Sequence, residues 1–491
     1  MQKEDRRTDS GLLPADRPLF FNNYIALHHT TLLFHIQKSP FVTASTDIAK
    51  SSSQDFCIQN TMNPVFTNQH SCRKGNCPLS DRSLTQTDLS DPALYDAGIP
   101  HQVFAEIRKQ PGLSWNPLQG EDGFWAVTRF EDIVEVSRHP ETFSSATGHI
   151  QIYTVPDDCL EARASMIDMD PPNHSRLRRL VNPGFIPKNL RLFEPIVRQR
   201  ASALLDDLVA EGGGDWVEKI AKPIPISIIC DMLGVPEEDR NYMIELTDHL
   251  VAGTANKPLD PNAYGNTTPL RFLPFESPAA FALDNYARDL GNKRRAEPQD
   301  DLVTKLINAE VDGEKLTEAE FTNFFRLLIF AGNETTRSAM SNLVIQMVNN
   351  PEIFASIKDN PDLIDGAVEE IVRVASPILY FRRTATCDTV LSGTPVKKGE
   401  KVVMWYASGN FDEARFAAPL DYDVTRPKMP HIGYGGGGVH TCLGAGLARI
   451  ELRILLEEIL KRDMKISLAE PPEYVHSNFV NGIEKLVVRL G

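Results

Sequence analysis

YGGGGVHTCLGAGLAR, residues 434–449, sets four consecutive glycines before a His-x-Cys and runs straight into a helical pattern. Several chemistries use a glycine-rich loop that opens a helix. A phosphate-binding loop requires Lys-Ser or Lys-Thr at the helix entry, and Leu443 and Gly444 follow the cysteine instead. A nucleophile elbow requires Gly-x-nucleophile-x-Gly. Gly444 satisfies one side, but position 440 is His, which leaves a thiol hydrolase with Cys442 as nucleophile as the weaker alternative. The remaining chemistry is metal ligation by one thiolate. Cys442 falls at the start of GAGLARIELRILLEEIL (444–460), where free backbone N–H groups and the helix dipole favour an anionic sulfur. A thiolate is a strong axial donor to haem iron, and glycines let backbone approach a flat macrocycle. A buried cysteine acting as a small hydrophobe beside a flexible turn accounts for the same residues without chemistry.

Outward from the loop, apolar residues recur at helical spacing through RLFEPIVRQRASALLDDLVAE (191–211), DDLVTKLINAE (300–310), residues 317–350 and PDLIDGAVEEIVRVA (361–375). Strand patterns are short: FWAVTR (124–129), TVLSGTPVKKGEKVVMW (389–405) and LVVRL (486–490). The expected fold is mainly α with small β-sheets, one domain spanning 85–491. Residues 1–84 lack regular periodicity and read as an N-terminal extension that is poorly ordered. GNTTPLRFLPFESPAAF (265–281) reads as a long loop, a lid over a hydrophobic pocket.

The 491 residues carry a formal net charge of −15 with no sustained Lys/Arg run, which argues against a nucleic-acid or anionic-membrane partner. Seven scattered cysteines do not form a disulfide scaffold, so a cytoplasmic compartment is expected. His70, Cys72 and Cys77 lie close together, but no second cluster completes a tetrahedral site. The uncharged stretch 19–36 is interrupted by Asn, His and Thr, and its flanks fit neither a membrane span nor a signal peptide.

YGGGGVHTCLG resembles the cysteine-ligand loop of the haem-thiolate monooxygenases, the cytochromes P450. Further motifs follow in the family's order. AGNETT (331–336), inside the longest helical pattern, resembles the oxygen-activating segment; an acid beside an alcohol can relay protons, and Gly332 is expected to leave room for oxygen and loosen the helix. Glu370 and Arg373 match the Glu-x-x-Arg pair, at a spacing that puts both on one helix face. DMDPPNHSRLRRLVNPGF (168–185) and FRRTATCD (381–388) resemble the segments that hold the haem carboxylates.

The resemblance runs from about residue 87 to the end and implies the P450 fold, with haem b between the oxygen-activating helix and the cysteine loop. It implies Cys442 as iron ligand and Glu334 and Thr335 as the catalytic acid and alcohol. His174, Arg178, Arg383 and His440 would meet the propionates, with Gly332, Gly438 and Gly444 beside the cofactor and the Glu370–Arg373 pair structural. It implies a monooxygenase using O2, acting as a monomer. Electrons from NAD(P)H would come through a separate ferredoxin and ferredoxin reductase, because no flavin or iron–sulfur motif is read in the chain. Arg176 and Arg179 are candidates to meet that acidic partner. A peroxygenase or isomerase on the same fold is the alternative, disfavoured by the acid–alcohol pair.

Three positions depart from the family pattern. Tyr434 replaces the usual Phe and one glycine is added before Cys442. Phe411 stands where Arg is usual. Asp421 replaces a basic partner of Glu370 and Arg373, so Arg426 is expected to substitute. The extra glycine, AGNETTR and the C-terminal HSNFVNGIEKLVVRL resemble bacterial enzymes that hydroxylate sterol side chains, branched lipids and terpenoids.

Overall fold

The computed structural model describes residues 87–154, 165–254, 278–427 and 430–491. The 1–84 extension, with its His70/Cys72/Cys77 group and the 19–36 stretch, lies outside the described residues. So does most of the expected lid; its last residues, from Pro278, form the first turn of a helix rather than a loop.

Among the described residues the helices of seven residues or more are α1 (His101–Arg108), α2 (Phe130–Arg138), α3 (Asn173–Val181), α4 (Glu194–Ala210), α5 (Pro223–Leu233), α6 (Arg240–Thr254), α7 (Pro278–Ala296), α8 (Leu302–Asn308), α9 (Glu318–Asn349), α10 (Pro351–Asp359), α11 (Ile364–Ala375) and α12 (Ala445–Lys461). The mainly α expectation holds. No helix among the described residues is long and apolar enough to cross a membrane.

Helix α9 organises the rest. Thr317 and Glu320 form a reciprocal capping box that satisfies backbone N–H groups at its start. From Phe321 to Val344 nearly every side chain is buried, because α5, α7, α11 and α12 pack around it. A helix apolar on most sides is stable only when enclosed in this way. Helix α12 begins immediately after Gly444, so its first N–H groups lie next to Cys442.

The main sheet runs β1 (Ser114–Leu118), β2 (Glu121–Val127), β5 (Lys401–Trp405), β4 (Tyr380–Ala385), β3 (Phe143–Ser144) in spatial order. β5 pairs parallel with β2 and antiparallel with β4, with Val402 opposite both Trp125 and Arg383. A smaller sheet joins Ile466–Leu468, Val487–Leu490 and Gly213–Asp215.

Candidate active site

One cavity lies between α9 and the loop that enters α12, and Glu334, Thr335, Cys442 and Gly444 all line it. The loop is closed by the Cys442 N–H, which donates to the Tyr434 carbonyl at 3.0 Å. Cys442 sits deep in the chain, and the surface it leaves open faces the cavity. Burial pushes its thiol up, while the Gly444 N–H and Arg178 pull the other way. The helix start therefore does not by itself make the thiolate expected from the sequence: desolvation outweighs two N–H groups and two arginines, Arg178 and Arg449. A coordinated metal removes the thiol proton in its own right.

The glycines serve the loop in two different ways. A Cβ on Gly438 would lie 2.3 Å from the Ser137 carbonyl oxygen of α2, and one on Gly436 would lie 2.3 Å from Ser137 Oγ. Gly438 also holds φ +72°. It packs against α2, whereas its place beside a cofactor remains an expectation from the resemblance. Gly444 does line the cavity, and nothing lies within 4 Å of where its Cβ would be. Gly332 lines the cavity too, yet α9 is unbroken there, and a Cβ would lie 2.7 Å from Ile229 of α5. Its role is to admit the neighbouring helix; the expected loosening is absent.

Beside Cys442 gathers a set of cationic or donor groups. His174 on α3 is 2% exposed, lines the cavity, and its Nδ1 has no hydrogen-bond partner. Burial, and then Arg178, hold its pKa down at about 4. Arg178 Nη2 donates to the Thr441 carbonyl at 2.8 Å. Arg383 on β4 is buried behind the lining; its Nη1 donates to the Arg382 carbonyl at 2.8 Å, and burial lowers its pKa. The His440 ring lies 4.3 Å from that of His174, and burial, then Arg383, push its pKa to about 2. His440 Nε2 faces Ser145 Oγ at 3.1 Å. It forms no pair with Cys442, and the hydrolase alternative loses its base.

The opposite wall is α9. Glu334 is 2% exposed, and burial raises its pKa to about 7 against the pull of Arg337. Arg337 Nη2 donates to Glu334 Oε1 at 3.0 Å, and its Nη1 lies 3.8 Å from Asp248 Oδ1 on α6. Asp248 is 39% exposed and pairs with Lys222 at 2.6 Å. The buried acid is therefore joined to the surface through charged groups that the sequence reading did not find, because they lie on other helices. Thr335 lines the cavity; its hydroxyl donates to the Ala331 carbonyl at 2.9 Å, so its oxygen meets the cavity as an acceptor.

Below the site, Arg373 Nη2 and Nε donate to the two Glu370 oxygens at 2.7 and 2.8 Å. Arg426 Nε reaches Glu370 Oε1 at 3.2 Å, the substitution expected from Asp421, whose backbone carbonyl accepts from both arginines. The Phe411 ring lies 5.2 Å from the Arg373 guanidinium carbon. Arg176 is paired with Glu320 and Glu314, and Arg179 with Asp312, so the two arginines offered for partner docking are engaged within the chain. Sequence reading also passed over Glu451 on α12. It is buried against the cavity, its Oε1 has no partner, and burial raises its pKa to about 8. Its only signal was a carboxylate amid the apolar residues of α12.

The sequence model of the Cytochrome P450 family matches residues 92–483. The chain belongs to the cytochrome P450 family. The P450 is 38% identical to a methyl-branched lipid omega-hydroxylase of Mycobacterium tuberculosis (strain ATCC 25618 / H37Rv) over 421 residues, 84% of this chain and 95% of that one. It is 35% identical to a steroid C26-monooxygenase of Rhodococcus jostii (strain RHA1) over 82% of this chain and 84% of that one. The solved Mycobacterium marinum cytochrome P450 CYP268A2 in complex with pseudoionone shares 40% identity and a TM-score of 0.75, covering 84% of this chain and all of that one. P450s are oxidoreductases that bind haem b through a cysteine thiolate. The residues of this P450 fit that group: a cysteine that opens on the cavity, clear space over Gly444, an orphaned His174 Nδ1, and two arginines suited to carboxylates, Arg178 half-buried on the cavity and Arg383 buried.

Proposed function

We propose that this P450 is a monooxygenase that hydroxylates a C–H bond of a sterol, branched lipid or terpenoid. Electrons come from NAD(P)H through a separate ferredoxin and its reductase. One observation carries the reading: a cysteine and an acid–alcohol pair face the same cavity, whose remaining lining is largely apolar. The names of the M. tuberculosis and R. jostii relatives support the substrate class.

Haem, when bound, would supply redox-active iron for the activation of O2, from which the substrate gains one oxygen atom and water the other at the expense of two electrons from NAD(P)H and two protons. The chain's residues do the rest. Cys442 holds the iron. Arg178, Arg383, His174 and His440 would meet the propionates, with His440 held by Ser145. Glu334, with a pKa raised to about 7 by burial, can hold a proton or release it toward the cavity, while Arg337, itself near Asp248, supplies the positive charge that offsets its ionised form. Thr335 accepts a hydrogen bond there and fixes the direction of that proton. Phe324, Leu327, Ile378 and Phe479 keep bulk water away and hold an apolar substrate. The haem domain begins near residue 85, with residues 1–84 as an appendage, and the enzyme works as a cytoplasmic monomer.

Turnover of a methyl-branched fatty acid and a sterol under labelled O2, with NAD(P)H, ferredoxin and reductase, tests this. The account expects hydroxylated product carrying one labelled oxygen. Product formed only with added peroxide would favour the peroxygenase alternative and contradict it.

A further inference from the structure

His149, Ile150 and Gln151 form part of the cavity wall, and the backbone of this segment is fixed to β4. The Arg382 N–H donates to the Ile150 carbonyl at 2.7 Å, and the Ile152 N–H donates to the Tyr380 hydroxyl at 3.3 Å. His149 occupies the left-handed region at φ +76°, a conformation a non-glycine residue keeps only when its surroundings impose it. The Gln151 N–H donates back to His149 Nδ1 at 3.3 Å. His149 is itself turned to Asp168 at 3.3 Å, so of the two polar residues this segment brings to the cavity one side chain is left to meet a ligand.

That side chain is Gln151. It is 5% exposed, it lines the cavity, and its Oε1 is buried without a hydrogen-bond partner. Met166, Ile167, Ile378 and Phe479 also line the cavity and offer no hydrogen bond. A buried amide oxygen left unpaired is costly, and a preformed site that leaves one open selects a ligand able to pair it.

We infer that Gln151 is a specificity residue whose amide takes a hydroxyl group of an already oxygenated hydrophobic substrate, a lipid or terpenoid alcohol. The inference rests on the monooxygenase reading for what happens next. Anchored at its hydroxyl, the molecule presents a remote C–H bond for oxidation, and the product is a diol. An anionic carboxylate fits the subsite poorly. His149 Nε2 lies 3.3 Å from the Asp168 carboxylate, which sets a negative charge beside the neighbouring lining residue, and among the described residues the arginine on the cavity, Arg178, belongs to the set beside Cys442. An alcohol both donates to Oε1 and accepts from the amide nitrogen, matching the two halves of the side chain whichever way it is turned.

The test compares farnesol with farnesyl methyl ether, which keeps the chain and the oxygen but loses the donor. Dissociation constants are measured on the haem-loaded protein by the Soret shift and in parallel by calorimetry, which needs no chromophore. A failed haem spectrum and a failed subsite are thereby separate results. The wild type is expected to bind the alcohol about tenfold more tightly than the ether, the scale of one hydrogen bond. The ratio should fall to about one in both Gln151→Met and Gln151→Leu, and taking a ratio removes any general effect of the substitution. An unchanged ratio in both variants, or no preference for the alcohol in the wild type, would overturn the assignment.

Discussion

The two walls of the cavity are built on opposite plans. The cysteine wall is made by backbone: left-handed glycines, close approach to α2, and helix N–H groups aimed at one sulfur, with Arg178 beside it and His174, His440 and Arg383 clustered next to that arginine. The α9 wall is made by side chains on an unbroken helix, with Glu334 connected outward through Arg337 and Asp248. Their electrostatics differ in the same way. The first holds buried donors that the chain leaves short of anions, an arrangement stable only when something negative is bound. The second holds an acid whose pKa burial raises to about 7, beside an arginine that offsets its charge, the condition the proposed proton donor needs. Proteins use the first plan to bind a group and the second to serve it.

The contrast can be broken most severely on the cysteine wall. Arg383→Leu should weaken haem binding by about 2–5 kcal/mol, as truncation of a buried charge partner does, while leaving the haem-free protein no less stable. Haem titration and thermal melts of both forms check this, and equal losses in the two forms would deny the charge argument.

Glu334→Gln probes the other wall through pH. The Glu334 carboxyl is held at about 7 against an ordinary 4.5, so the folded chain keeps a proton that the unfolded chain releases. Its stabilising contribution is complete below about pH 4.5 and is lost as pH rises to 7. The variant has no such loss, so its stability relative to wild type should climb across that window by up to about 3 kcal/mol and then level off. Parallel stability curves would refute the buried-acid assignment.

Gly438→Ala puts a Cβ against the Ser137 carbonyl at a left-handed φ. It should cost about 1–3 kcal/mol in global stability while leaving haem affinity in the folded protein nearly unchanged. If haem affinity falls and stability does not, Gly438 belongs to the cofactor after all. The smallest effect is expected at Thr335→Ala: about 1 kcal/mol from one lost hydrogen bond, seen as a severalfold drop in product per NAD(P)H with matching peroxide release. Unchanged coupling would remove Thr335 from the proton path.

How much of this was legible follows from where the signals lie. The helices around 194–210, 318–349, 364–375 and 445–461 are long and periodic, and they appear in the structure within a few residues of where the sequence puts them. Arg426 was also readable, because losing one basic partner near Glu370 leaves a buried charge that something must compensate. What sequence hid is contact across elements. That Gly438 faces Ser137, that Gly332 faces Ile229, and that Glu334 reaches Asp248 depends on which helix lies alongside, which no local pattern encodes. The thiol of Cys442 shows the same limit: the helix start was visible in the sequence, but the depth of burial that outweighs it was not.

The central claim is that Cys442 holds haem iron as a thiolate. The most direct measurement is the absorption spectrum of the reduced, haem-loaded protein under carbon monoxide. The account predicts the strongly red-shifted Soret band of a sulfur ligand, lost in Cys442→Ser. A colourless protein after expression with added haem, or a spectrum that Cys442→Ser leaves unaltered, would contradict it.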